Sequence, residues 1–338
     1  MYKSITMKTK IALLLTLLLL LSLTACTDTN DISGITPTPT PITSAPIEAT
    51  QEPAPEPLES ALPDDPVESD IAERVLHELT KPEYNGRVTG SDEIVQAAQY
   101  LAGVFEDIGL IPYDSGSFIM EYSNSDPGIR YFGNDLINAK GYNVVGVIPG
   151  KDSTKALVVS AHYDAVRVGG NQGALDNASG VAAILRVAEN LLRWGEQPET
   201  DIIFCAFDGE EIGLIGSQAF VLNAKNTYQD MFNINIDTIG LSGVPLLIVG
   251  DEILREDIAV FFTDKGIPLD YENMVGGGTM VFGSDYVSFI NYGFSAVSLG
   301  TLGDEVFAIM HTENDVLEVL DIAYIEIIAD AVTEFIVS

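Results

Sequence analysis

Between Asn143 and Phe335, short unbroken runs of apolar residues alternate with longer stretches whose apolar residues recur at helical spacing. This alternation narrows the possible folds more than any other feature. Runs such as Ala156-Leu157-Val158-Val159 and Ile202-Ile203-Phe204-Cys205-Ala206-Phe207 have no polar face. A strand of that kind is stable only when both faces of its sheet are covered. Strands are expected at Asn143–Ile148, Ala156–Ala161, Ile202–Phe207, Phe232–Ile236, Leu246–Val249 and Phe294–Leu299. Helices are expected at Ala178–Arg193, Ile215–Asn223, Asp251–Asp264, Asp285–Asn291 and Ile322–Phe335. Strands that alternate with helices make an α/β fold with a mostly parallel sheet. Upstream, apolar residues at 71, 75, 76 and 79 predict one helix, and a second runs from Ser91, a capping residue, to Ile108 before Gly109.

Order is expected from about Val67. Residues 27–66 are rich in Pro, Thr, Ser, Ala and Glu and lack apolar periodicity, which suits an extended tether. The first 25 residues suit a secretory signal: Lys3, Lys8 and Lys10 precede the apolar run Ile11 to Leu21, which is shorter than a span of the roughly 30 Å bilayer core requires. Leu23-Thr24-Ala25-Cys26 resembles a bacterial lipobox, which implies cleavage before Cys26, lipid on its sulfur, and a place on the outer face of a bacterial membrane. Translation starting at Met7 instead of Met1 would keep that signal. Cys205 is the one other cysteine, so with Cys26 lipidated no intrachain disulfide is available. Cys205 itself reads as a small core residue.

The formal net charge is −34, with 16 Lys+Arg against 50 Asp+Glu. Too few basic residues are present to hold a phosphate backbone, so a nucleic-acid partner is excluded. Of 3 histidines, His162 ends a predicted strand and His311 follows the last one. Asp164 lies two residues beyond His162, where an extended chain would let its carboxylate hydrogen-bond the imidazole and fix the tautomer. Asp176 precedes a predicted helix and reads either as a ligand or, with Asn177, as a cap. Glu210 and Glu211 follow a strand; adjacent carboxylates there repel unless a cation or a shared proton joins them. Asp237 ends a further strand. Each has an ordinary reading as a turn, cap or solvated acid. Together they fall at carboxyl ends of strands, where open α/β sheets bind ligands, and form a nitrogen and oxygen donor set for a divalent metal.

The ordered strings His162-Tyr163-Asp164, Asp176-Asn177-Ala178-Ser179-Gly180, Gly209-Glu210-Glu211-Ile212-Gly213-Leu214-Ile215-Gly216-Ser217, Asn235-Ile236-Asp237-Thr238-Ile239-Gly240 and His311-Thr312 resemble the co-catalytic di-zinc aminopeptidase family. Its members include secreted bacterial leucine aminopeptidases, aminopeptidase Y and glutamate carboxypeptidase. Gly86-Arg87-Val88-Thr89-Gly90-Ser91 resembles the family's opening, so the likeness runs from about Ile71 to the end. It implies a three-layer α/β/α sandwich with a mixed, mostly parallel central sheet, and two Zn²⁺ per chain. Asp176 would bridge them, His162 and Asp237 completing one site and Glu211 and His311 the other. Glu210 would be the general base, Asp164 would orient His162, and the Asp176–Asn177 peptide would be cis. Charge agrees: two Zn²⁺ are balanced by three ligand carboxylates and one hydroxide, with both histidines neutral.

The expected activity is removal of amino-terminal residues from peptides. Carboxypeptidase, dipeptidase or glutaminyl cyclase chemistry on the same scaffold, or a non-catalytic peptide-binding lipoprotein, are the alternatives. A carboxypeptidase would need a cation for the substrate carboxylate, and Arg130 and Arg167 are the candidates. Some relatives place a tyrosine just before the last histidine; here that position holds Met310, which leaves the oxyanion donor unassigned. Tyr286 is a possible substitute or a helix-packing residue. Asp315 either supports His311 or caps a helix, and Met274 to Phe282 reads as a substrate-side loop or a plain connection. The sequence does not fix an oligomeric state.

Overall fold

In a computed structural model of the chain, residues 70–114, 116–129, 140–275 and 283–338 are described. The expected signal, Cys26 and the tether therefore lie outside the described residues, as do Arg130 and positions 276–282 of the substrate-side loop.

The helices are α1 (Ile71–Leu79), α2 (Asp92–Ile108), α3 (Ser179–Trp194), α4 (Ile215–Ala224), α5 (Glu252–Asp264), α6 (Tyr271–Val275), α7 (Tyr286–Asn291), α8 (Asp304–Phe307) and α9 (Ile322–Val337). The strands are β1 (Ile111–Pro112), β2 (Ile119–Ser123), β3 (Lys140–Ile148), β4 (Asp152–His162), β5 (Thr200–Phe207), β6 (Asp230–Asp237), β7 (Leu247–Gly250) and β8 (Ser295–Gly300). They form one sheet in the order β1-β3-β5-β4-β6-β8-β7, with β2 also paired to β3. β5, β4, β6 and β8 are mutually parallel. β3 runs antiparallel to β5, and β7 antiparallel to β8, so the sheet is parallel at its centre and mixed at its margins.

Side-chain alternation builds three layers. Ile202, Phe204 and Ala206 join Val159, Ala161, Ile234 and Ile236 under the helices that carry Val75, Leu101, Ile184 and Ile328. Ile203, Cys205 and Phe207 turn the other way, with Val158, against Phe220, Val221 and Phe289 of α4 and α7. Both faces are thus sealed by helices, as the unbroken apolar runs require. No helix among the described residues is long and apolar enough to cross a membrane.

The connections fix where ligands can gather. From β4 the chain crosses through α3 to β5, then returns through α4, on the other face, to β6 on the far side of β4. Strand order therefore reverses about β4, and the crevice beyond the carboxyl ends of β5, β4 and β6 is the one such a sheet offers to a ligand.

Candidate metal centre

Register places the first pair. Ser160 of β4 lies opposite Asn235 of β6, so His162 and Asp237, two residues on, are level at the ends of adjacent parallel strands. His162 Nε2 stands 3.3 Å from Asp237 Oδ1 and 3.1 Å from Asp176 Oδ1. On the other side, His311 Nε2 stands 2.9 Å from Asp176 Oδ2 and 3.0 Å from Glu211 Oε2. Asp176 thus presents one oxygen to each histidine. The donor atoms fall into the clusters His162–Asp176–Asp237 and Asp176–Glu211–His311, and Glu210 joins His162 and Glu211 in a third.

Hydrogen bonding shows why these groups fit a cation. His162 Nδ1 lies 3.0 Å from the main-chain oxygen of Asp164. A carbonyl only accepts, so Nδ1 carries the hydrogen, and the Nε2 of a neutral imidazole points a lone pair at two carboxylates. That arrangement is repulsive unless a proton or a metal ion lies between. Glu211 Oε1 is buried and makes no hydrogen bond. Two imidazole nitrogens and three carboxylates are the donors of a borderline divalent ion.

Electrostatics follow from the same crowding. Burial pushes the Glu210 carboxyl well above its usual range, with Asp237 and Glu211 adding to the effect and His162 opposing it. Glu211 is pushed up to about 7 by burial and by Asp176, against its bond to His311. Asp176 moves the other way: burial opposes its charge, but His162 and His311 together hold it below the usual carboxylate range. His311 is pushed up to about 10 by Asp176 and Glu211. His311 also has φ +60°, a left-handed conformation uncommon outside glycine and concentrated at functional sites.

The surrounding residues hold the loops. The Asp176–Asn177 peptide bond is cis, as the resemblance implies. The Asn177 amide donates to Ile236 O at 2.9 Å, and its oxygen accepts from Gly180 N at 2.9 Å and Thr238 N at 3.2 Å, tying the Asp176 turn to the end of β6. Gly180 is required there: a Cβ would sit 2.3 Å from Ile236 O. Asp237 Oδ2 accepts from Ser284 Oγ at 2.5 Å.

Asp164 differs in detail from expectation. Its main-chain oxygen is the nearer partner of His162 Nδ1, while its carboxylate Oδ1 lies 3.5 Å away. The carboxylate accepts instead from the backbone N–H groups of Glu210 at 3.1 Å and Glu211 at 3.3 Å, which fixes the turn that carries both glutamates. The Thr89 hydroxyl lies between Asp164 Oδ2, at 3.0 Å, and Asp208 Oδ1, at 2.7 Å. One hydroxyl has one hydrogen to give, and burial next to Asp164 pushes Asp208 up to about 8, so Asp208 holds the missing proton at neutral pH.

Sequence reasoning gave no role to Thr89, Asp208 or Ser284, and read Asn177 only as a cap and as part of the cis peptide. Thr89 and Asn177 lie within the quoted strings and Asp208 and Ser284 outside them, and each acts on a partner far away in sequence, such as Thr89 on Asp208. Tyr286 is buried among Phe207, Phe220 and Phe289 and does not face the centre. Met274 packs in the core opposite. Arg167 is exposed. The crevice has a volume of about 250 Å³, and its apolar lining includes Leu302, Phe307 and Met310. No lysine or arginine is among its described lining residues.

The chain is 31% identical over 158 residues to Leupeptin-inactivating enzyme 1 of Streptomyces exfoliatus, covering 46% of this chain and 34% of that protein. It spans about a third or less of the length of the curated relatives it matches. Among solved structures, a leucine aminopeptidase precursor from Bacteroides thetaiotaomicron superposes with a TM-score of 0.64 at 20% identity, covering 81% of this chain and 98% of that one. A glutaminyl cyclase from the same organism superposes with a TM-score of 0.61 at 20% identity, covering 79% and 96%. Such likenesses establish the fold and leave the reaction open. The family model matching residues 143–336 takes in every ligand candidate from His162 to His311, and the chain belongs to peptidase family M28.

Proposed function

We propose that the chain is a metal-dependent aminopeptidase that removes amino-terminal residues from peptides with two zinc ions. The observation that carries this reading is the Asp176 carboxylate, with one oxygen 3.1 Å from His162 Nε2 and the other 2.9 Å from His311 Nε2. His162 and Asp237 would complete one ion's ligands, and Glu211 and His311 the other's. Bound zinc would supply water ionisable near neutral pH and positive charge for the scissile carbonyl.

The protein's own groups do the rest. Glu210 takes the proton of the attacking water and returns it to the leaving amine. Asp164, through the backbone of Glu210 and Glu211, holds that base and its neighbour in place. The apolar wall of Leu302, Phe307 and Met310 takes one uncharged side chain and excludes water beside the reacting bond. The absence of lysine and arginine from the described lining favours a substrate bound by its amino end over one bound by its carboxylate. Names given to relatives, a leupeptin-inactivating enzyme and a leucine aminopeptidase precursor, support the same reading. The lipobox-like residues before Cys26 support attachment to the outer face of a bacterial membrane, with peptides met outside the cell.

The test uses matched peptides with free and acetylated amino ends, before and after chelation and after zinc is restored. Cleavage confined to free-amine peptides, lost with the metal and regained with zinc, is expected. Equal cleavage of acetylated peptides would overturn the aminopeptidase assignment.

A further inference from the structure

The loop that carries Asp176 hangs from two buried ionic side chains. Arg87 is wholly buried. Its Nε donates to Tyr163 O at 2.6 Å, Nη1 to Leu79 O at 2.5 Å and Gln172 O at 2.8 Å, and Nη2 to Gly173 O at 2.9 Å. None of these partners is a carboxylate. A buried charge without an adjacent counter-ion costs several kcal/mol, so ordinary packing would favour an apolar residue here. What sustains the charge is a set of carbonyl dipoles at close range and the fields of Asp315, Asp164 and Asp176 further off. The contact is tight enough to dictate its neighbour: a Cβ on Gly173 would lie 2.6 Å from Arg87 Nη2, and Gly173 has φ +59°.

Asp315, also wholly buried, holds the other end of the same loop. Its Oδ1 accepts from Leu175 N at 2.6 Å and its Oδ2 from Asp176 N at 3.2 Å. Its main-chain oxygen accepts from Gln172 N at 2.9 Å, and the Gln172 side chain accepts from Leu317 N at 3.0 Å. Each anchor reaches back to one histidine: Arg87 binds the carbonyl of Tyr163, next to His162, and Asp315 lies four residues after His311.

We propose that Arg87 and Asp315 are positioning residues that form a clamp on residues 172–176, setting Asp176 midway between His162 and His311 and so fixing the spacing of the two metal positions. This rests on the two-metal reading of the site. The backbone of Asp176 is gripped at its own N–H and at the carbonyl of Gly173, three residues earlier, so its carboxylate has little freedom to lean towards one histidine. Loosening either grip would let the bridge favour one metal position at the expense of the other.

The test is zinc binding by the full chain, measured by competition with a chromophoric chelator, for wild type, Asp315→Asn and Arg87→Lys. Asp315→Asn keeps the shape but turns one acceptor into a donor facing an N–H. Arg87→Lys keeps the charge but loses the planar fork. Circular dichroism and thermal unfolding at saturating zinc confirm the fold. Wild type is expected to take two zincs, and each folded variant to bind one of the two about 10- to 100-fold more weakly, the range found when groups supporting metal ligands are removed. Excess zinc should then restore part of the lost hydrolysis. If wild type takes two zincs and both folded variants match its affinities, the clamp is overturned and the site reading stands. If wild type takes none, both fall. Failure of both variants to fold at saturating zinc would also overturn the clamp, because it would make these contacts part of the general core.

Discussion

Glu210 lies beside His162, Glu211 and Asp237, and what it does depends on the charge of that company. Without a cation, burial and the neighbouring acids hold its proton far above the normal carboxylate range. A base that holds its proton so tightly is useless near neutral pH, and divalent cations at the adjacent donors would bring it down into the working range. Glu210→Gln preserves size and hydrogen-bonding capacity but cannot exchange a proton. The expected outcome is a fall in kcat of about 10²- to 10⁴-fold with zinc content unchanged. Steady-state kinetics alongside metal analysis checks it. A variant that kept wild-type kcat would remove Glu210 from the reaction, and one that lost zinc would make it a ligand.

At the level of elements, the first turn of α3 is where helix, sheet and site meet. Gly180 is buried there against the end of β6. Two effects of Gly180→Ala oppose each other. Helix propensity favours alanine by about 1 kcal/mol. The added Cβ, however, meets Ile236 O at 2.3 Å and the Asn177 amide at 2.5 and 2.7 Å. Overpacking of this kind costs about 1–3 kcal/mol, and a backbone oxygen in a central strand cannot swing aside as a side-chain tip can. Net destabilisation is therefore expected, by up to about 2 kcal/mol, with weaker metal retention because Asn177 and Asp237 are the groups displaced. Denaturant unfolding and a chelator titration check both; stabilisation by alanine would show that the helix moves freely over the sheet. The same contrast explains what the sequence made readable. Central β4 and β5 announced themselves as apolar runs, β6 and β8 as shorter apolar stretches broken by Asn or Ser, and His162 and Asp237 stood out at the ends of β4 and β6. The antiparallel margin was readable only in part: β3 and β7 were expected, but β1 has two residues, β2 is half-exposed, and β3 begins at Lys140, three residues before the expected strand. Such strands are defined by their partners more than by their composition. The roles of Arg87 and Thr89 escaped for a related reason, since Thr89 meets Asp208 across 119 residues. Asp315, read as supporting His311 or capping a helix, instead holds Leu175 and Asp176, meeting Leu175 across 140 residues. Spacing along the chain gives no measure of such contacts, and the Asp164 carboxylate bonding Glu210 and Glu211 was hidden in the same way.

For the molecule as a whole, two separate stores of negative charge act on stability and can be told apart. One is the surface, part of a formal net charge of −34. Its self-repulsion is spread over solvent-exposed groups and is screened within about 8–10 Å at ordinary ionic strength. The other is the buried set at the site, where Asp164, Asp176, Asp237, Asp285 and Asp315 are shielded from solvent and Arg87 is the one fully buried arginine or lysine among the described residues. Salt does not reach that interior. Burial pushes the Asp285 carboxyl up to about 7 against the opposing pull of His162 and Ser217, so even the fringe of this set is poorly compensated without a cation. Metal that binds only the folded chain adds RT ln(1 + [L]/Kd), about 4 kcal/mol when free metal exceeds Kd a thousandfold. Chelation should therefore lower Tm by several degrees, and adding salt up to about 0.5 M should raise Tm of the metal-loaded and chelated proteins alike while leaving the gap between them open. Thermal unfolding at low and high salt, with zinc and with chelator, reads both effects. If salt closed the gap, the metal would be acting as a surface counter-ion; if it persists, the buried carboxylates are the groups that need the ions, and the histidines and acids at the ends of β4, β5 and β6 stabilise the fold only when metal is bound.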